Sequence, residues 1–449
     1  MRRLTTLALA IFALALAPTA AGAQAPAAVT LSVDDAVSRA VETAPRLGAA
    51  RAREAAAASA AASRAALGRP TVAVTSGILR TNHVDEFGIP EPDGSTRVLF
   101  PDVPTNYQAR AEVDVPVYTA GRVGALVASA DADHRAASAT AEAARADVAL
   151  EATSAYWSLV AARDAVGVLE RALARADASL ADVRARVNTG ILPPNDLLSS
   201  QAERARERVS LIQAQNDAAL SEARLDRLVG LDPGTPLVTS TPVDRETPGV
   251  AAVASQPLAT LIARARGQRP ERQAIEAREA GQRAAGAAAL AAVRPHVAAL
   301  AAVEPARPNT RFFPRADDWH TSWDLGVNVT WPLWDGGRAR ADHATSVAQA
   351  SATHYELEDF DDALAVEIRQ RVLDVQSARA ALDASADAVA AATEARRVVG
   401  ERFDVGVATN TDRLDAEVAE REAELERTRL AAALRVAEAQ LLRAVGAQP

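Results

Sequence analysis

The sequence predicts an α+β protein built by duplication, in which each half joins a pair of strands to a long helical hairpin. Three observations predict it. Residues 113–230 align with residues 329–446 without a gap, at a constant offset of 216 positions. Apolar residues recur every seven positions through long stretches free of proline. Four segments, two per half, alternate apolar and polar side chains. A long fixed offset of this kind describes a repeated architectural unit.

The N-terminus reads as a secretory signal over residues 1–23. Arg2 and Arg3 form a basic region, Leu4 to Ala17 an apolar one, and Ala21-Gly-Ala23 a small-residue cleavage site. That segment carries two arginines and no acid, so its removal takes the formal charge from −9 to −11. An acidic chain argues against nucleic acid as a partner. All 49 basic residues are arginine, and there is no cysteine, which excludes disulfides and thiolate metal sites. Beyond the signal, no uncharged apolar run approaches the roughly 20 residues that a membrane helix needs.

The first repeat is expected over 31–230, a linker with five prolines over 231–257, and the second repeat over 258–446. Within the first, Ser32 precedes Asp34 and Asp35 as a helix N-cap, and an alanine-rich helix runs on to Gly68-Arg69-Pro70. Residues 71–79 alternate and are rich in valine and threonine, as a strand is. Residues 81–105 hold the prolines and glycines of a long loop, and 106–117 alternate again, with Ala109, Ala111, Val113, Val115 and Val117 on one face.

From Gly121 to Val187 the period becomes helical. Leu159, Val166, Leu173, Leu180 and Val187 recur by sevens, interleaved with Ala162, Leu169, Ala176 and Val183, an a/d seam with small residues that allow close helix approach. A helix of that length is about 100 Å long, too long for a compact domain. After Gly190 a second heptad pattern runs from Asp196 to Val229.

The second half repeats the order. Residues 258–293 are helical, 296–303 and 320–333 read as strands around a loop, and a long helix runs from 337 to 403 with its seam interrupted by Arg396. The two hairpins turn at matched tips, Gly190 with Asp196 and Gly406 with Asp412.

Four strands cannot close a barrel with a useful lumen. Open sheet edges are forbidden within a bilayer, because unsatisfied backbone groups there cost several kcal/mol each. If these strands lie in a membrane, the chain must pool them with identical copies.

These features together resemble the TolC-like outer-membrane efflux family. The resemblance covers roughly 31–446. It rests on the duplicated element order, the junctions Pro116-Val-Tyr-Thr-Ala-Gly121-Arg122 and Pro332-Leu-Trp-Asp-Gly-Gly337-Arg338, and the paired tips. It implies a homotrimer sharing one 12-stranded β-barrel in the outer membrane, continued by a periplasmic α-helical coiled-coil barrel. It further implies the exit duct of a tripartite efflux or type I secretion system. The implied partners are a periplasmic adaptor (membrane fusion) protein, an inner-membrane RND or ABC transporter, and outer-membrane lipid.

By the same resemblance, Gly190 and Gly406 are the tips where the adaptor docks. Asp412 and Asp415, with Asp196 from the other hairpin, are the acidic residues of a pore constriction. Phe403 and Ala408 depart from the tyrosine and arginine that form the family's best-known closing latch.

Each assignment has a plain structural counterpart. Aspartates at a helix start favour the macrodipole, and glycine is the default helix C-cap. Tyr107, Tyr118, Trp319, Trp323, Trp331 and Trp334 are expected to form membrane-interface girdles, although aromatics are common in any sheet. Tyr156 and Trp157 are read as packing, and Arg122 and Arg338 as structural hydrogen-bond donors at the junctions.

The six histidines show no metal-ligand spacing, and no nucleophile elbow, phosphate loop or zincin motif occurs. The chain is therefore read as non-enzymatic and without cofactor. The competing reading is a secreted or surface coiled-coil structural protein. It accounts for the heptads but not for the alternating strands.

Overall fold

The computed structural model describes residues 28–447 except 233, 246 and 248. The expected signal segment lies outside the described residues.

The structure follows the duplicated plan. In the first half, β1 (Val29–Leu31), α1 (Val33–Thr43) and α2 (Pro45–Ala66) lead to β2 (Thr71–Arg80), β3 (Phe87–Pro90), β4 (Thr96–Phe100) and β5 (Thr105–Tyr118). The long α3 (Arg122–Asn188) and its return helix α4 (Pro194–Val229) complete it. A connecting region holds β6 (Leu237–Thr239) and α5 (Val250–Ala254). The second half comprises α6 (Leu258–Gln268), α7 (Pro270–Ala291), β7 (His296–Arg307), β8 (His320–Thr330), α8 (Arg338–Asp404) and α9 (Asn410–Ala444). Both long helices contain 67 residues.

Several boundaries differ from the sequence reading, each for a local reason. The helix expected over 31–67 is broken at Ala44-Pro45, and that over 258–293 at Arg269-Pro270. A proline disfavours the α conformation of the residue before it, and both Ala44 (ψ 116°) and Arg269 (ψ 118°) are extended. The loop expected over 81–105 contains the β3–β4 hairpin, turned at Glu91–Ser95. The linker is partly regular, because β6 pairs in parallel with β1. Tyr156, read as packing, is fully buried at right angles to Trp157 and also does more. Its hydroxyl donates to the Leu31 carbonyl (3.2 Å) and accepts from the Thr241 amide (2.9 Å), tying β1 to the connecting region.

The apolar core lies where the long helices cross these short elements. One cluster joins Leu261, Leu364, Ile368, Leu434 and Leu441, and a second joins Leu31, Tyr156, Trp157, Leu159, Leu225 and Leu237. At one end, β2, β5, β7 and β8 form a single antiparallel sheet in that spatial order. At the other end are the two hairpin tips.

Candidate functional site

The sheet has two chemically opposite faces, set by the register. Val72, Val113, Ala301 and Leu325 lie in one cross-strand row, and Val74, Ala111, Val303 and Trp323 in the next. The bulky members of this face on the outer strands, Val72, Val74, Ile78, Trp323, Leu325, Val327 and Val329, are 63–75% exposed. The opposite face carries the row Ala73, Glu112, Ala302 and Asp324. There Arg110 donates to Glu112 (2.9 Å), Glu304 (3.0 Å) and Asp324 (3.1 Å), so one guanidinium links three strands. An apolar face turned outward with charge gathered on the other is the pattern of a strand set between lipid and an aqueous lumen. The alternation was visible in the sequence, but Arg110 as the hub was not, since its partners come from β7 and β8.

The aromatic residues fall at two levels. Tyr107 and Trp319 meet at one end of the sheet, ring centroids 6.1 Å apart. Tyr118 closes the other end of β5, next to Val297, and Trp331 and Trp334 follow β8 at that same end. The 11 steps from Tyr107 to Tyr118 span about 36 Å of strand, or roughly 28 Å of height at a barrel's usual tilt. Trp323 lies within the apolar face rather than at either level. The second strand–helix junction is organised by Asp335 rather than by Arg338: its carboxylate accepts the amides of Gly337 (2.9 Å) and Ala339 (2.8 Å), while the first junction has Thr119 at the matched position.

The two tips share one backbone geometry. Gly190 and Gly406 both have φ 76°. The amides of Ile191 and Val407, one residue further, reach back to the carbonyls of Arg186 (2.9 Å) and Arg402 (2.8 Å). Such αL caps suit glycine, and a Cβ at either site would meet nothing within 4 Å. Ile191 and Val407 occupy matched positions and are 69% and 64% exposed. The sequence held this signal in the offset of 216, but it was not singled out.

The return helices start differently. Thr409 caps α9 through a capping box in which the Asp412 carboxylate accepts both the Thr409 amide (2.8 Å) and its hydroxyl (2.7 Å). Those two bonds, the amide's first, hold the Asp412 pKa below the usual carboxylate value. Asp415 is exposed one turn on. Asp196 lies in the first turn of α4, where its carbonyl accepts the side-chain amide of Asn410 (3.3 Å), and that amide also reaches Ser200 (3.1 Å). The acidic first turns of α4 and α9 are thus tied together within one chain.

Phe403, only 3% exposed, is the centre of a second tie. The guanidinium of Arg413 lies 4.3 Å from its ring centroid and that of Arg186 4.9 Å. Arg186 also binds Asp404 (2.6 Å) and Asp182 (3.0 Å), and Arg413 pairs with Asp182 (3.4 Å). Above this clasp runs a buried ionic seam. Glu420 meets Arg396 (2.7 Å) and Arg175 (3.6 Å), while Arg421 pairs with Glu203 and Glu207. Burial pushes the Glu417 carboxyl up, against the opposing pull of Arg413, Arg396 and Arg175.

Among the described residues no cluster of metal-ligating side chains occurs, and no helix is long and apolar enough to cross a membrane. The model of the outer membrane efflux protein family matches residues 36–231 and 261–447. The chain belongs to that family. Protein CyaE of Bordetella pertussis is 30% identical over 250 residues, which is 53% of this chain and 49% of that protein. Outer membrane efflux protein BepC of Brucella suis is 26% identical over 272 residues, 60% of this chain and 56% of that protein. The matches therefore span only about half the length of these relatives.

The fold is shared with solved outer-membrane channels. The CmeC channel of Campylobacter jejuni superposes with a TM-score of 0.77 at 15% identity, covering 92% of this chain and 85% of that one. VceC of Vibrio cholerae gives 0.76 at 19% identity, covering 92% and 96%. This efflux-family chain is accordingly an outer-membrane protein with a helical extension into the periplasm, on the fold of a channel rather than an enzyme.

Proposed function

We propose that three copies of this chain form the outer-membrane exit duct of a tripartite efflux or type I secretion system. The observation that carries the reading is the pairing, in one chain, of a sheet with one apolar and one charged face and two long hairpins with matched tips. Among the described residues neither β2 nor β8 has a second strand neighbour. A membrane cannot satisfy those backbone groups, so the edges are completed by the neighbouring copies, giving twelve strands in all. The helical part supports the same assembly. Val209, Ile212 and Leu220 on α4, and Val347, Val366 and Leu373 on α8, are exposed apolar residues on the two outer helices of the chain's helical layer.

In this assembly six tips gather at the periplasmic end. The αL glycines 190 and 406, with the exposed Ile191 and Val407 beside them, form the surface for an adaptor protein's helical hairpins. Asp412 and Asp415, with Asp196, ring the mouth of the pore and draw cations to it. The aromatic side chains at the two sheet ends sit at the lipid headgroups, with repeats bounded at 31–230 and 258–446. The duct performs no chemistry, and an inner-membrane transporter of the RND or ABC class supplies the energy. Fractionation of cells, followed by electrophoresis with and without heating, tests the reading. A heat-modifiable trimer band in the outer membrane is expected. Recovery as a soluble monomer or an extended coiled coil outside the membrane would overturn it.

A further inference from the structure

Past the Tyr107–Trp319 end of the sheet the chain carries an exposed apolar feature. The β3–β4 hairpin leans on the 308–319 loop: the Arg315 amide donates to the Leu99 carbonyl (3.1 Å), and the rings of Phe100 and Phe313 meet edge-on at 5.9 Å. Phe87, paired opposite Phe100, extends the strip, with ring centroids 6.4 Å apart. Phe87, Phe100 and Phe313 remain 59%, 51% and 67% exposed, and Ile89 beside them is also exposed. A contiguous aromatic strip left in water marks a surface that something covers.

The direction of this strip is fixed by what its supporting loop touches. The buried Asn309 side chain donates to the carbonyls of Glu304 (3.3 Å) and His320 (3.0 Å) and to the Ser322 hydroxyl (3.1 Å). Arg311 donates to the Trp323 carbonyl (3.0 Å) and its guanidinium lies 3.7 Å from Asp324, the carboxylate that Arg110 holds on the charged face. Ala302 and Ala306, also on that face, are buried. The loop therefore folds over the charged, lumen-side face of the sheet and carries the phenylalanines with it.

We propose that the aromatic strips of three copies meet over the barrel mouth and form an apolar constriction at its external end, separate from the periplasmic tips. This rests on the pooled-barrel reading above. A 12-stranded barrel has a radius of about 12 Å at the usual strand spacing and tilt. Phe100 stands five residues before Thr105, where β5 begins, up to about 16 Å of extended chain and more than that radius. The occupant is a second and third copy of this chain, because the strip faces the lumen side that those copies share. An apolar ring of this kind blocks ions and solutes by excluding water from a narrow passage.

The chain has no cysteine, so single cysteines report without background. In the full-length protein in its membrane, Phe313→Cys is expected to give covalent dimers and trimers with a short bis-maleimide, whereas Trp334→Cys at the opposite rim is not. The second measurement labels Asn328→Cys on the lumen face from outside intact cells. A small impermeant maleimide is expected to react readily and a polymer-bearing one slowly. The substitutions Phe87→Ser, Phe100→Ser and Phe313→Ser together are expected to speed the large reagent severalfold without changing the small one. An intact trimer with no Phe313→Cys cross-link and equal large-reagent rates overturns the constriction. That outcome leaves the strip to an outer saccharide or external protein. Loss of the trimer band, or an Asn328→Cys that neither reagent reaches in the serine variant, overturns the pooled barrel itself.

Discussion

Phe403→Leu isolates the clasp at the second tip. Leucine keeps most of the apolar volume of this buried side chain but removes the aromatic face that lies under two guanidiniums, 4.3 Å from Arg413 and 4.9 Å from Arg186. A cation–π contact contributes about 0.5–1 kcal/mol at an exposed site and about 2 when desolvated. The Arg413 side chain is only 10% exposed and Arg186 23%, so the pair together is worth about 2 kcal/mol. The Arg186–Asp404 ion pair adds little, because Asp404 is largely exposed. If opening the duct parts the second hairpin from the first, only the Arg186 contact to the ring crosses that boundary, and losing about 1 kcal/mol shifts the closed–open balance about fivefold toward open. Planar-bilayer recordings of purified trimers are expected to show a matching rise in open probability. Cells should also become sensitive to a large antibiotic that the outer membrane normally excludes. Arg413→Gln should reproduce part of the effect, and the double variant should fall short of the sum, as coupled residues do. Unchanged open probability in Phe403→Leu trimers would falsify the clasp and leave Phe403 as core packing.

Four further outcomes follow from the same geometry. Gly406→Ala should cost only about 1 kcal/mol of backbone strain, since a Cβ there meets nothing within 4 Å; Gly406→Trp should then block export while trimers persist, and normal export by that variant removes the docking role. Asp412→Asn with Asp415→Asn should lower cation selectivity and divalent-ion block, which reversal potentials report directly; unchanged potentials take the acidic ring out of the account. Arg110→Met should leave Glu112, Glu304 and Asp324 without their shared cation, lowering the temperature at which heated trimers dissociate; an unaltered temperature would show that the register is held by the backbone alone. Glu417 and Asp412 should respond oppositely to pH. The native protein binds the extra proton at Glu417, so its contribution to stability falls as pH rises from the usual 4.5 through its raised value. The Asp412 cap contributes fully above the usual 3.8 and is lost as pH falls through its lowered value. Glu417→Gln should flatten the thermal-stability profile on the mildly acidic side, and an identical profile in the variant would refute the assignment.

What was legible in the sequence was whatever has a period. Heptads gave α3 and α8, alternation gave β2, β5, β7 and β8, and the constant offset aligned the two tips. Contacts between distant segments have no period, and these are what the reading missed. Arg396 looked like a defect in the second seam, yet it is the partner of Glu420, which is buried from α9. Arg110 looked like one more polar residue on an alternating strand, and its three carboxylates lie up to 214 positions away. The loop at 81–105 was marked by its prolines and glycines, which also hid the short β3–β4 pairing inside it.

The two duplicated hairpins are alike in backbone but have diverged at their return helices. Their tip glycines have the same φ, and the helices that lead to them have the same length. The return helices diverge. α4 begins after Pro193 with no side-chain cap, whereas α9 has the Thr409–Asp412 capping box. Only the second tip supplies an aromatic three residues before its glycine; the first has Val187 there. The clasp therefore cannot be symmetric: Phe403 of the second hairpin is gripped by Arg186 of the first and by Arg413 of its own return helix. A symmetric pair of hairpins would have no preferred partner to move. Here the contacts that hold the tips together converge on one ring and one helix start, so in the proposed duct the second hairpin is the one whose release would open the periplasmic end.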